Sequence, residues 1–324
     1  MLTPHEHGAN PCEHFVNPYE NLWIYYIEGT PEKEAFKTIV SGKEDMGSGD
    51  SGFVKHRSFI GNWEEDGFSF LFFSAPSDEI VQQILDHDKK LTLIDRYEMT
   101  GEAWHGERIE SYTSGNLCIS PPWKIPFVNK PDLKHILLDP GVVFGTGRHP
   151  TTEDCLGYIQ YLCNNNSVET CSQSVSNYNH PVANVNHPVS TVLDIGTGTG
   201  LLAIAAAAFG CRQVVAVDFN LLAVRTAQNN IRLNSFEDKI LAIQGRAEDF
   251  ITLPADLVVA NIHYDVMRHL LEMDKFFDHK WLILSGLLRS EVHRVLDKLK
   301  EKGGIVVETL SPDGVWNTIL AKGR

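Results

Sequence analysis

Apolar positions change their spacing several times along the chain, and each change predicts an element. From Asn21 the run NLWIYYIEG is apolar enough for a strand, and PEKEAFKTIVS then sets Ala35, Phe36 and Ile39 at helical spacing. FVKHRSFIGNWEEDGFSFLFFS reads as two strands about a turn at Glu64 to Gly67. APSDEIVQQILDHD predicts a helix starting near Ser77 with Ile80, Ile84 and Leu85 on one face, and KLTLIDRYEM a closing strand. The order β, α, β, β, α, β is that of the ferredoxin-like split βαβ, so an α+β unit is expected over residues 21–100. That fold hosts many roles and names no chemistry.

Residues 101–135, with ISPPWKIPF among them, are rich in proline and aromatics and predict a linker docked on a neighbouring unit. In the following LDPGVVFGTGRHPTTEDCLGYIQYL, Thr151 and Asp154 resemble a capping box before Cys155, Leu156, Ile159 and Leu162, so a helix is expected just after the glycines. The stretch 164–190 is rich in Asn and Ser and repeats NYNHPV as NVNHPV, which predicts a mobile surface insertion. Beyond it the strand-like runs TVLDI, QVVAVD, KILAIQG, DLVVAN and WLILSG alternate with helical ones, LLAIAAAAFG, NLLAVRTAQNNIRLN, a short RAEDFI and DVMRHLLEMDKFF. Strands apolar on both faces and separated by helices mean a parallel, doubly wound sheet. The ending, two strands about a Pro-Asp-Gly turn, adds an antiparallel hairpin that a dehydrogenase domain would not show.

Composition narrows the class without naming the function. At 324 residues and 43% hydrophobic, the chain has room for one large or two ordinary domains. No apolar run approaches the ~20 residues of a membrane helix, and the opening MLTPHEHGANPCEHF lacks the pattern of a secretory signal, so a cytoplasmic protein is expected. Residues 1–20 read as a flexible tail. Its His5, His7, Cys12 and His14, like His180 and His187 further on, read as solvated residues, and six scattered cysteines without a CxxC pair fit reduced thiols. No metal site is expected. A net charge of −14 argues against direct nucleic-acid binding and suits a basic protein partner; a monomer is expected.

The chemistry concentrates at TVLDIGTGTG. Asp194, Gly196, Gly198 and Gly200 fall at the carboxyl end of the first parallel strand and Asp218 at the end of the second, where ligands of such sheets lie. Glycines followed about 20 positions on by an acidic residue also fit a dinucleotide, but the spacing here is Gly-Thr-Gly-Thr-Gly where a dinucleotide fingerprint is Gly-x-Gly-x-x-Gly, which favours a methyl donor and leaves a dinucleotide as the alternative. Asp194 would repel a pyrophosphate; it would pair with a cationic amino-acid ligand such as S-adenosylmethionine, or cap its own turn. Asp218 suits ribose hydroxyls, Gly196 a close approach, Asn261 a place beside the sulfonium, and Glu248 or Asp249 the adenine edge.

Together LDPGVVFGTGRHPTT, DIGTGTGLLAIAA, VVANI followed by LILSGLL, and the terminal GVWNTILAKGR resemble the PrmA family, the bacterial methyltransferases of ribosomal protein L11. The resemblance implies a class I (Rossmann-like) S-adenosylmethionine-dependent methyltransferase domain over residues 136–324 and a substrate-recognition role for residues 21–100. It implies methyl-donor contacts at Thr152, Gly196, Asp218 and Asn261, and a transfer pocket lined by Phe144 and His149. The acceptor it implies is a lysine amine of ribosomal protein L11 or a counterpart. The chain departs from the family pattern at Arg148, in the 164–190 insertion, and at FFDHKW in place of a Gly-Gly before the fifth strand. These departures keep other acceptors in view: another protein lysine, such as one on the electron transfer flavoprotein β subunit, a small molecule, or none, in a noncatalytic donor-binding protein.

Overall fold

The computed structural model describes residues 17–41, 58–126, 130, 132–163 and 189–324. Apart from their edges, the expected tail (1–20) and insertion (164–190) lie outside the described residues, as do His5, His7, Cys12, His14, His180 and His187.

The first unit runs β1 (Leu22–Glu28), α1 (Lys33–Ser41), β2 (Phe59–Glu65), β3 (Phe68–Phe73), α2 (Asp78–His87), β4 (Thr92–Met99). Its sheet has the order β2-β3-β1-β4 with every neighbour antiparallel, the pairing that a split βαβ requires. Asp66 and Gly67 turn the β2–β3 hairpin with φ of 48° and 84°, the positive pair whose twist matches that of the strands. Alternation then divides the sheet's side chains between two cores. Tyr25, Ile27, Leu71 and Phe73 pack on Ile80, Val81 and Ile84 of α2, while Ile24 and Phe72 face the other way, onto Val142, Val143 and Leu222.

The linker reading needs correction. Residues 101–135 contain α3 (Gly101–His105), β5 (Tyr112–Ser114) and β6 (Leu117–Ser120), and with β7 (Lys134–Leu137) they build a three-stranded sheet, β5-β6-β7. Leu117, Ile119 and Ile136 are part of the main core. Every residue of the four-residue β6 is buried, so it offers no alternation to read.

The large sheet follows from α4 (Pro150–Cys163) onward: β8 (Thr191–Ile195), α5 (Leu201–Ala208), β9 (Gln213–Asp218), α6 (Leu221–Leu233), β10 (Ile240–Gln244), α7 (Ala247–Phe250), β11 (Leu257–Asn261), α8 (Tyr264–Glu272), β12 (Trp281–Leu288), α9 (Arg289–Glu301), β13 (Ile305–Leu310), β14 (Trp316–Lys322). Its order is β10-β9-β8-β11-β12-β14-β13. Strands β8 to β12 are parallel, and β14 enters antiparallel between β12 and β13. Successive residues such as Val192 and Leu193 feed separate cores on the two faces, which is why these strands read as unbroken apolar runs.

Two local readings change. Helix α4 begins at Pro150, so Thr151 and Asp154 lie buried inside it and form no capping box. Proline suits a first helical position because its missing N–H would find no partner there anyway. Helix α9 buries Val292, Val295 and Leu299 but is so densely charged on its other face that no apolar run marks it. No helix among the described residues is long and apolar enough to cross a membrane.

Candidate functional site

A cleft of about 1350 Å³ opens at the carboxyl ends of β8, β9 and β11, where the strand order reverses between β8 and β11. Its floor is formed by residues 196–199 of the Gly196–Gly200 turn between β8 and α5. The N–H groups of that turn are all spent inside the protein. Gly196 and Thr197 donate to Val217 O, Gly198 to Asp218 Oδ2 at 3.0 Å, Thr199 to Phe144 O and Gly200 to Thr197 O. A dinucleotide pyrophosphate draws on free N–H groups where the strand turns into the helix, and residues 196–200 have theirs already taken.

The glycines do something other than admit a ligand's bulk. At Gly198, with φ of 55°, an added Cβ would stand 2.5 Å from Phe144 O. The position therefore lets the Gly141–His149 loop lie directly on the turn, where the Thr199 hydroxyl also donates to Gly145 O at 2.7 Å. Gly200 lies outside the cleft lining and packs against Ala227 of α6, which corrects its assignment as a ligand contact.

Asp194 is corrected as well. It is 1% exposed, lies outside the lining, and accepts the Thr197 hydroxyl on Oδ2 at 2.6 Å, while Oδ1 has no partner. Burial pushes its carboxyl up to about 7. It braces the turn from beneath, outside the cleft lining. Asp218, in contrast, does line the cleft. Its Oδ2 takes Gly198 N–H and its Oδ1 takes Asn220 N–H at 2.9 Å. Burial raises its carboxyl, and these two N–H groups oppose the rise.

On the opposite wall Asn261, which ends β11, donates from Nδ2 to Thr152 Oγ1 at 3.3 Å; its Oδ1 carries no hydrogen bond among the described residues. Glu248 lines the cleft beyond β10 beside Arg246, but Asp249 is exposed and outside it. His149 holds the start of α4, its Nδ1 2.7 Å from Thr151 Oγ1 and its ring edge-on to Trp316. Phe144 is 79% exposed at the mouth. Cleft residues Phe144, His149, Thr152, Gly196, Gly198, Asp218, Glu248 and Asn261 are thus brought together from five stretches of chain.

Sequence reading missed what the small sheet and the supposed linker contribute. Trp63, Glu65 and Phe70 line the cleft from β2 and β3, His263 from the cap of α8 and Arg268 from its middle. The Gly141–His149 loop is held from residues 104–112: Trp104 Nε1 donates to Val142 O, Tyr112 Oη donates to Thr146 O, Glu107 accepts from the Thr146 hydroxyl, and Arg148 reaches Glu110 O across the Tyr112 ring. The Arg148 charge is therefore tied to the former linker. Only contacts between segments distant in sequence give these residues away.

A family described as ribosomal protein L11 methyltransferase (PrmA) matches residues 69–324. The ribosomal protein L11 methyltransferase of Streptococcus uberis is 34% identical over 210 residues, covering 64% of this chain and 58% of that protein. That of Streptococcus agalactiae is 32% identical over 236 residues, covering 71% of this chain and 66% of its own length. The chain thus matches somewhat under two thirds of these relatives. A crystal structure of ribosomal protein L11 methylase from Lactobacillus delbrueckii subsp. bulgaricus aligns with a TM-score of 0.54 at 26% identity, covering 66% of this chain and 99% of that one.

Proposed function

Because this chain belongs to the family of ribosomal protein L11 methyltransferases (PrmA), we propose that it transfers methyl groups from S-adenosylmethionine to lysine side-chain amines of ribosomal protein L11 or a counterpart. One observation carries the reading: a glycine turn with its N–H groups spent stands beside Asp218, a carboxylate facing the cleft with backbone partners only. Each Asp218 oxygen keeps a further lone pair, which suits the paired hydroxyls of a ribose and repels a pyrophosphate. Glu248 suits the exocyclic amine of an adenine. Thr152 and Asn261 stand across the cleft from Asp218, on the side where the amino-acid end of the donor would lie.

When bound, S-adenosylmethionine supplies a methyl group activated as a sulfonium. The protein's own task is alignment. Thr152 fixes the Asn261 amide through Nδ2, so Oδ1 is left to accept from an incoming amine and to turn its lone pair inward. A lysine is ordinarily protonated below about pH 10.4. The apolar side chain of Ile262 and the positive charge of the bound donor disfavour the ammonium and so favour the neutral, nucleophilic amine. His149, tied to Thr151 and Trp316, holds its end of the loop in place.

Titration calorimetry should register S-adenosylmethionine and not NAD. Tritiated methyl donor should then label ribosomal protein L11, and Asn261→Ala should fold normally while transferring about 100-fold more slowly, the scale of one lost polar contact to the reacting group. Near-normal turnover would remove Asn261 from the mechanism. Label on a different protein of a cell extract, with L11 unlabelled, would move the acceptor.

A further inference from the structure

The cleft has a side that neither the donor-binding residues nor Asn261 use. Trp63 and Glu65 alternate onto one face of β2, and Trp63 is paired across the sheet with Phe70. From the loop opposite, Phe144 meets Trp63 edge-on, ring centroids 6.0 Å apart and planes at 88°. The Trp63 indole nitrogen is buried and without a partner, so the ring offers the cleft π surface and no donor. Phe144 leaves most of its ring uncovered. Two carboxylates line the same cleft: Glu65, two residues along β2 from Trp63, and Glu107, which accepts from Thr146, two residues from Phe144. Arg148, the nearest cation in sequence, also lines the cleft, but its guanidinium is tied over the Tyr112 ring and donates to Glu110 O.

Two aromatic faces with acids in the same cleft are a receptor for an alkylammonium: the rings attract the cation and cover its methylene stem, and the carboxylates draw it in. Resting on the proposed methyl transfer, we infer that Trp63 and Phe144, together with Glu65 and Glu107, form the entrance that selects a lysine ammonium and delivers it to Asn261. The entrance is completed by the small sheet. Trp63 is a specificity-determining residue supplied from outside the large α/β unit.

The test separates this entrance from the identity of the acceptor protein. With S-adenosylhomocysteine present, calorimetry compares Nε-trimethyl-lysine amide with its neutral isostere carrying a tert-butyl group. The native protein should prefer the cation about tenfold, the scale of one desolvated cation–π contact. Trp63→Leu should abolish the preference, Trp63→Phe should retain it, and neither should move the affinity for S-adenosylmethionine. With ribosomal protein L11 as substrate, Trp63→Leu and Glu65→Gln should raise KM while kcat stays within about twofold. If the native protein prefers the cation but leaves L11 unmethylated, the acceptor assignment fails and the entrance stands. No preference in the native protein, equal losses in Trp63→Leu and Trp63→Phe, or a fall in kcat at unchanged KM would overturn it.

Discussion

A carboxyl group sealed under a glycine turn makes stability depend on pH in an unusual direction. The folded protein holds the Asp194 carboxyl at about 7, whereas an unfolded aspartate titrates near pH 3.9. The folded state therefore binds a proton that the unfolded state has released, and this contribution is complete below about pH 4 and lost as the pH rises through 7. Three pH units correspond to about 4 kcal/mol. Urea unfolding at pH 5 and pH 8 should show Asp194→Asn losing less stability than the native chain over that interval; parallel losses would mean that Asp194 does not titrate there. The same residue shows how far single positions could be read. Asp218 and Asn261 line the cleft because they end parallel strands, a place legible from the strand pattern, whereas Thr152 is reached only through the family resemblance. Asp194 leaves two readings open in the sequence, a ligand partner or a cap of its own turn, because its distance from the glycines is the same whichever side of the turn it occupies. What decides is the Thr197 hydroxyl, which turns inward to meet it.

Elements were legible where each carried its own period. The apolar runs of β8 to β12 and the helices α5, α6 and α8 announced the parallel sheet, and the Pro-Asp-Gly turn announced the β13–β14 hairpin. Helix α9 and the β5-β6-β7 sheet were missed, the first masked by charge and the second too short to show alternation. The glycines were seen, but their purpose was only half read, because they meet other elements and not only a ligand. Gly200 has φ of 85°, and a Cβ there would stand 3.1 Å from Ala227 Cβ and 3.2 Å from Ala227 Cα. Helix α6 cannot yield without pulling on Asn230, whose Nδ2 donates to Thr199 O at 2.8 Å. Gly200→Ala should therefore cost about 2–4 kcal/mol, from overpacking and the left-handed backbone together. Differential scanning calorimetry would register the loss, with the affinity of the folded fraction for S-adenosylmethionine little changed. A native melting temperature would show that α5 and α6 can separate at that point.

At the scale of the whole molecule, the seam between the small sheet and the large one decides whether the chain behaves as one body. Tyr19, Leu22, Ile24 and Phe72 meet Val142, Val143, Leu222 and Ala223 in a single buried cluster, and β2 approaches α6 so closely that any side chain at Gly61 would overlap Leu222. These residues come from four separate stretches with no shared period, so the sequence predicts each sheet and is silent on their union. The union matters for function: it fixes Trp63 against Phe144, and Leu222 lies in the first turn of α6, where its N–H is capped by Asn220, whose own N–H donates to Asp218. An apolar seam of this kind couples the two sheets, because exposing it on one side costs as much as opening a core. The native chain should melt in one calorimetric transition. Leu222→Ala removes a side chain that is 5% exposed and should cost about 2–5 kcal/mol, all of it at the seam. The small sheet should then melt first, as a separate shoulder, and S-adenosylmethionine should raise only the later transition. Two well-resolved transitions in the native chain, or a ligand that shifts both equally in Leu222→Ala, would show that the sheets are joined by something other than this cluster.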